Sequence, residues 1–201
     1  YDKDGDIDLF LGNQGMNHEL FINRINEGGT FQSVSWSATP TSSAISDIQS
    51  GDLDGDGDID LIEVNSPGEI RVRLNNGNAY FTHNWFSTGP YNATKIVLSD
   101  FDGDSDIDAF VVINGLTSIN RILLNDGNGN FTISTLTAPG TEATNAAATG
   151  DMDLDGDIDL LLSETNATRI YLNDGNGNFS IGKTYPSFGT VVDVSLGVIL
   201  K

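Results

Sequence analysis

A stretch of alternating aspartates recurs four times at nearly constant spacing, and this recurrence constrains the fold more than any other feature. It reads YDKDGDIDLFL from Tyr1, DLDGDGDIDLI from Asp52, DFDGDSDIDAF from Asp100 and DMDLDGDIDLL from Asp151. The last aspartates, Asp8, Asp60, Asp108 and Asp159, stand 52, 48 and 51 residues apart. A period near 50 residues marks a repeat architecture, in which each unit buries its apolar face against its neighbours. A second motif keeps step with the first. LFINRINEGGTF ends at Phe31, RVRLNNGNAYF at Phe81, RILLNDGNGNF at Phe131 and RIYLNDGNGNF at Phe179. Each is an apolar run, then an Asn/Asp/Gly cluster, then an aromatic. Gly and Asn tolerate the positive φ of tight hairpin turns, so each motif reads as two strands and their turn.

One unit therefore contains four short strands, with the aspartate loop joining the first two. In the second unit they are expected near Ala44–Ser50, Ile59–Asn65, Glu69–Asn75 and Tyr80–Phe86. Runs such as EIRVRLN alternate with period two, and no useful window has a helical period. Four antiparallel strands in about 50 residues make the blade of a β-propeller. The fold expected is all-β, a β-propeller of four-stranded antiparallel blades. The units fall at about 1–43, 44–92, 93–142 and 143–188, with a terminal strand over 189–201, all in one propeller region.

The net charge is −20, and 19 of the 29 acidic residues lie in the four loops. Such a chain is repelled by nucleic acid and by anionic membranes. It has no cysteine, hence neither disulfides nor thiolate metal sites. It also has no apolar run of membrane-spanning length, so no membrane insertion is expected. Counting Asp52 as position 1, carboxylates occupy positions 1, 3, 5, 7 and 9, with Gly57 at position 6. Alternate carboxylates on a loop that curls back converge on one point, and a glycine permits the bend. Hard oxygen donors in that number suit Ca²⁺, which takes 6–8 of them; Mg²⁺ and Zn²⁺ fit less well. Position 7 is expected to ligate through its carbonyl, with the Asp58 side chain directed outward. Four divalent ions would bring the charge from −20 to about −12, coupling folding to metal. An EF-hand would need Glu at position 12 and flanking helices. Glu63 stands there in the second loop, but Val111 and Leu162 stand there in the third and fourth.

The combination of DxDxDGxxD, an apolar strand and RIYLNDGNGNF resembles the FG-GAP/VCBS-type repeat over nearly the whole chain. That resemblance implies calcium-bearing blades of an integrin-α-like propeller, from an extracellular or cell-surface protein. It implies side-chain ligation by Asp52, Asp54, Asp56 and Asp60, by Asp100, Asp102, Asp104 and Asp108, and by Asp151, Asp153, Asp155 and Asp159. The carbonyls of Asp58, Asp106 and Asp157 complete the three sets. The third loop departs by having Ser105 at position 6, where strain or lower affinity is expected. The first loop holds Asp2, Asp4, Asp6 and Asp8 but no position 1, so its site is incomplete. The chain thus starts inside a loop, and GTVVDVSLGVILK resembles a first strand. Three arrangements remain open: an excerpt of a longer propeller, a four-bladed ring closed by the last strand, or strand addition to a neighbouring molecule.

Other features have plainer readings. Arg71, Arg73, Arg121 and Arg169 are expected to pair with nearby acids and orient the blades. Trp36, Trp85, Tyr91 and Tyr185 are expected to pack between blades, and His18 and His83 to lie on the surface or in turns. Asn92, Asn130, Asn166 and Asn178 begin N-x-S/T sequons. No nucleophile elbow, His-based metal site or phosphate-cradling loop is present, so the chain is not expected to be an enzyme. The expected function is a calcium-stabilised adhesion or recognition module for a protein or glycan ligand. The alternative is the subunit of an extracellular filament or surface layer, self-assembled through the terminal strand.

Overall fold

The computed structural model describes residues 1–13, 18–34, 44–66, 68–88, 92–113, 119–134, 139–140, 142–186, 191 and 193–196. Three four-stranded antiparallel sheets follow one another along the chain. The first is β4 (Ala44–Gly51), β5 (Asp60–Ser66), β6 (Glu69–Asn75) and β7 (Phe81–Thr88). The next is β8 (Ala93–Ser99), β9 (Asp108–Ile113), β10 (Arg121–Asn125) and β11 (Phe131–Ile133). The last is β12 (Thr144–Gly150), β13 (Asp159–Glu164), β14 (Ala167–Asn173) and β15 (Phe179–Pro186). They are preceded by a three-stranded sheet of β1 (Leu9–Leu11), β2 (Glu19–Ile22) and β3 (Gln32–Val34), which follows the first aspartate loop. Strand order is sequence order in every sheet, the up-and-down meander of a propeller blade. The strands of the second unit fall within two residues of their expected bounds, and among the described residues no helix is long and apolar enough to cross a membrane.

Side-chain alternation along a strand explains how the blades stack. All six residues of β9 are buried, because the third blade is covered on both faces. Ala109, Val111 and Ile113 face Leu53, Ile62, Val64, Ile70 and Val72 of the second blade. Phe110 and Val112 point the other way, into Leu160, Leu162 and Tyr171 of the fourth. The first strands lie side by side, β4 against β8 and β8 against β12. Asp47 on β4 accepts a hydrogen bond from the Ile96 N–H of β8 at 2.9 Å. Trp85 packs between blades as expected, its ring 5.7 Å from that of Phe131. Tyr185 does not: it lies on the outer strand and is 49% exposed. Trp36 and Tyr91 lie outside the described residues.

His18 also departs from expectation. It is 4% exposed, with its Nε2 3.4 Å from Glu63, which in turn pairs with Arg73 at 3.1 Å. Glu63 is therefore occupied within a buried network between the first two blades, as its place in β5 requires. His83 is exposed. Arg71 pairs with Glu69 at 2.5 Å, and Arg169 with Glu142 and Glu164. Arg121 donates to the carbonyls of Ile119 and Asn120. Most of 189–201 lies outside the described residues; within the described part, Asp193 pairs with Lys95 of β8 at 3.3 Å.

Candidate metal centres

Each aspartate loop is shaped by its own carboxylates. In the second loop, Asp52 accepts from the N–H groups of Gly55 at 2.9 Å and Gly57 at 3.0 Å. Asp56 accepts from the N–H of Asp58 at 2.8 Å. The third loop repeats this with Asp100 bound by Gly103 and Ser105, and the fourth with Asp151 bound by Leu154 and Gly156. Such turns from Asp to a nearby N–H curl the loop without help from distant residues.

The curl needs two left-handed residues per loop, where the spacing had indicated only position 6. Position 4 has φ of 63° at Lys3, 74° at Gly55, 79° at Gly103 and 67° at Leu154. Position 6 has φ of 88° at Gly5, 85° at Gly57, 77° at Ser105 and 103° at Gly156. Ser105 thus carries the strain expected of it, yet its N–H still bonds Asp100 at 2.9 Å, and the loop is not distorted. Left-handed backbone costs a residue with a Cβ about 1–2 kcal/mol. Ser105→Gly is expected to raise stability by about 1 kcal/mol, less the added entropy of the unfolded glycine. Thermal melts of the two proteins in calcium check this, and a lower midpoint for the glycine variant would contradict it.

Position 9 opens the second strand and is fully buried as Asp60, Asp108 and Asp159. One oxygen of each accepts from the position-2 N–H of its own loop: Leu53 at 2.8 Å, Phe101 at 2.9 Å and Met152 at 2.8 Å. The other accepts from the N–H of an asparagine that ends the third strand: Asn75 at 2.7 Å, Asn125 at 2.8 Å and Asn173 at 2.9 Å. The carboxylate is thereby fixed against the loop.

This brings together Asp52, Asp54 and Asp60; Asp100, Asp102 and Asp108; and Asp151, Asp153 and Asp159, with one ligand atom of each within 4.8 Å of the others in its set. The position-5 carboxylates Asp56, Asp104 and Asp155 stand outside these sets, as do the position-7 carboxylates Asp58, Asp106 and Asp157. Asp58 does not point outward. It is 4% exposed, lies beneath Gly77 of the hairpin turn, and pairs with Lys3 of the preceding loop at 2.5 Å. Gly127 and Gly175 cover Asp106 and Asp157 in the same way, leaving no room for a Cβ. In the first loop Asp2, Asp4, Asp6 and Asp8 form no such set. Arg24 reaches Asp2 at 3.3 Å and Asp4 at 3.8 Å, Asn26 bonds Asp6, and Asp8 accepts from Asn23.

The electrostatics fit a cation in the three sets. Burial pushes Asp60 and Asp108 up to about 6, against two backbone hydrogen bonds each, and neighbouring aspartates push the same way. Burial and the adjacent carboxylates also raise Asp54, Asp102 and Asp153. One oxygen of Asp102 is buried with no hydrogen-bond partner, an acceptor awaiting a positive charge. An all-oxygen, anionic donor set suits a hard divalent ion, Ca²⁺ before the others.

The asparagines at 75, 125 and 173 are the residues that sequence reasoning passed over. Each is the last residue of its strand, where Asn75 was expected, and is paired with the aromatic Phe81, Phe131 or Phe179; what the sequence did not show is the role of its side chain and N–H. The available signal was their constant place directly before the turn in RLN, LLN and YLN. All four sequon asparagines, Asn92, Asn130, Asn166 and Asn178, are exposed, and the side-chain amides of Asn130 and Asn178 donate to Asp126 and Asp174.

Comparison with known proteins adds three findings. A family model described as FG-GAP-like repeat matches residues 1–63, 52–111 and 100–162, each match running from one aspartate loop through the next. No curated protein matches the chain. Among solved structures, the chain is similar to one described as the structural basis of specific recognition of non-reducing terminal N-acetylglucosamine by an Agrocybe aegerita lectin. The likeness has a TM-score of 0.57 and 24% identity, over 84% of this chain and 46% of that one. The chain thus spans less than half the length of that neighbour, and the likeness is one of fold.

Proposed function

The chain belongs to the FG-GAP-like repeat family, and from that premise we propose that it is a calcium-stabilised extracellular recognition module, its blades a rigid platform for a protein or glycan ligand. One observation carries the calcium reading. The same three carboxylates converge at the same corner of three successive blades. Asp52, Asp54 and Asp60, with their counterparts, would hold the ion, and the position-7 carbonyls of Asp58, Asp106 and Asp157 stand next in each loop. When bound, calcium supplies the positive charge that these carboxylates lack. The residues themselves close the corner between the first two strands and fix the loops on one side of the stack. Rigid blades bearing loops at their ends suit recognition more than catalysis. The net charge of −20 directs the module away from nucleic acid and anionic lipid. The filament alternative depends on 189–201, which lies mostly outside the described residues.

Calorimetric titration of the chelated, dialysed protein with calcium is expected to saturate at three equivalents. No heat and no competition with terbium would overturn the calcium reading. A glycan array in millimolar calcium, including glycans ending in N-acetylglucosamine, then separates the ligand classes. Saturable, calcium-dependent binding to one glycan group assigns a lectin role, and a silent array assigns a protein ligand.

A further inference from the structure

The three carboxylate sets are linked in series across the blade seams. Leu53 lies between the ligands Asp52 and Asp54. Its N–H donates to Asp60 of its own loop at 2.8 Å, and its carbonyl accepts from Asn125 Nδ2 of the next blade at 2.8 Å. The backbone N–H of that asparagine donates to Asp108, the buried ligand of the next set, at 2.8 Å. The pattern repeats one seam on. The Phe101 N–H bonds Asp108, the Phe101 carbonyl accepts from Asn173 Nδ2 at 2.9 Å, and the Asn173 N–H bonds Asp159 at 2.9 Å. It occurs at the first seam too, where Asn75 Nδ2 bonds the Tyr1 carbonyl at 2.8 Å. The side chains reinforce it. Phe81 packs on Tyr1 with ring centres 5.5 Å apart, Phe131 shares a buried cluster with Leu53, and Phe179 packs on Phe101 at 6.0 Å.

We propose that Asn125 and Asn173 are positioning residues that couple the cation sites of adjacent blades, so that filling one set favours filling the next. This rests on the calcium reading above. The peptide gripped by Asn125 is the one that leads into Asp54, while the asparagine's own N–H holds Asp108. An ion that orders Asp54 and Asp60 therefore orders the acceptor of Asn125, and with it the carboxylate of the following set. The entropy of ordering the seam is spent once and shared by two sites, which gives positive cooperativity.

The test is calcium calorimetry on the whole chain, comparing the parent with Asn125→Leu, which keeps size and removes the amide. Asn125→Asp is the second variant, close to isosteric but unable to donate to Leu53. Asn128→Ala, in the exposed part of the same turn, is the control. The parent is expected to titrate with a Hill coefficient above 1. The Asn125 variants are expected to split the isotherm: the second-loop site titrates alone, reduced about tenfold, within the usual range of coupling between sites, while the two sites joined by Asn173 stay cooperative, so the overall Hill coefficient falls below the parent's. Asn128→Ala is expected to titrate like the parent. A purely structural asparagine would lower the melting temperature and leave the Hill coefficient unchanged, and that result overturns the coupling. A parent that binds three ions with a coefficient of 1 overturns it as well, leaving the calcium reading intact. A parent that binds none overturns both. If Asn125→Leu fails to fold, Asn125→Asp and the parent decide.

Discussion

A chelator is expected to lower the melting temperature of this protein by tens of degrees and to reverse the way its stability depends on pH. Each site filled at 1,000 times its Kd contributes about 4 kcal/mol to the folded state. Three such sites together match the whole stability of an ordinary domain, about 5–15 kcal/mol. Without the ion the same carboxylates work against folding. Asp60 and Asp108 are raised to about 6 from an ordinary value of 3.8, so the folded chain holds protons that the unfolded chain releases. A raised carboxylate contributes stability that is present below the unfolded value, near 4, and lost as pH climbs through 6. The chelated protein is therefore expected to be most stable near pH 4–5 and to weaken toward pH 7. In calcium the order inverts, because protons compete with the ion for the same oxygens. Added salt should restore part of the chelated protein's stability at pH 7 by screening the repulsion. Melting curves over pH 4–8, with calcium and with chelator, test all of this. Parallel pH profiles in the two conditions would remove the metal from the folding argument.

The repeat made most of this architecture legible. Strand β6 could be read from alternation, because one face of it covers a neighbouring blade and the pleat puts every second residue there. The aspartate loops could be read because ligand spacing is local chemistry. What escaped were features that depend on the neighbouring unit. Asp58 reads as a solvated side chain within its own loop; only the hairpin at Gly77 and Lys3 of the preceding loop bury it. His18 meets Asn13 and Phe10 close by in sequence, but its ionic partner Glu63 lies 45 positions away on the next blade. The seam asparagines look like ordinary strand ends beside a turn until the preceding blade presents a carbonyl to them. The positive φ at position 4 was hidden for another reason: Lys3 and Leu154 are poor markers of left-handed backbone, and Leu154 is 87% exposed, so packing does not single it out.

The same logic ranks the acidic residues of one loop by what each holds in place. Asp108→Ala is expected to be far more damaging than Asp104→Ala, although the resemblance to known repeats treats both as ligands. Asp104 is exposed, and its described hydrogen bond is one contact with the Asp106 N–H at 2.9 Å. Its removal should cost about 1 kcal/mol or less in chelator. Asp108 is fully buried and accepts from Phe101 and Asn125 at 2.9 and 2.8 Å. Truncation to alanine orphans two buried N–H donors, each worth about 1–3 kcal/mol when unsatisfied. In chelator this is partly offset, because a buried carboxylate with crowded acidic neighbours is removed as well. In calcium the offset disappears and the third-loop ion is lost, so the gap between the two variants should widen. Melting temperatures with and without calcium, together with ion stoichiometry, give the comparison. Asp108→Ala is expected to bind two ions and Asp104→Ala three, the third more weakly. Equal losses for the two variants would mean that position 9 is one ligand among several. The predicted asymmetry would make it the point where the ion, the loop and the next strand are joined.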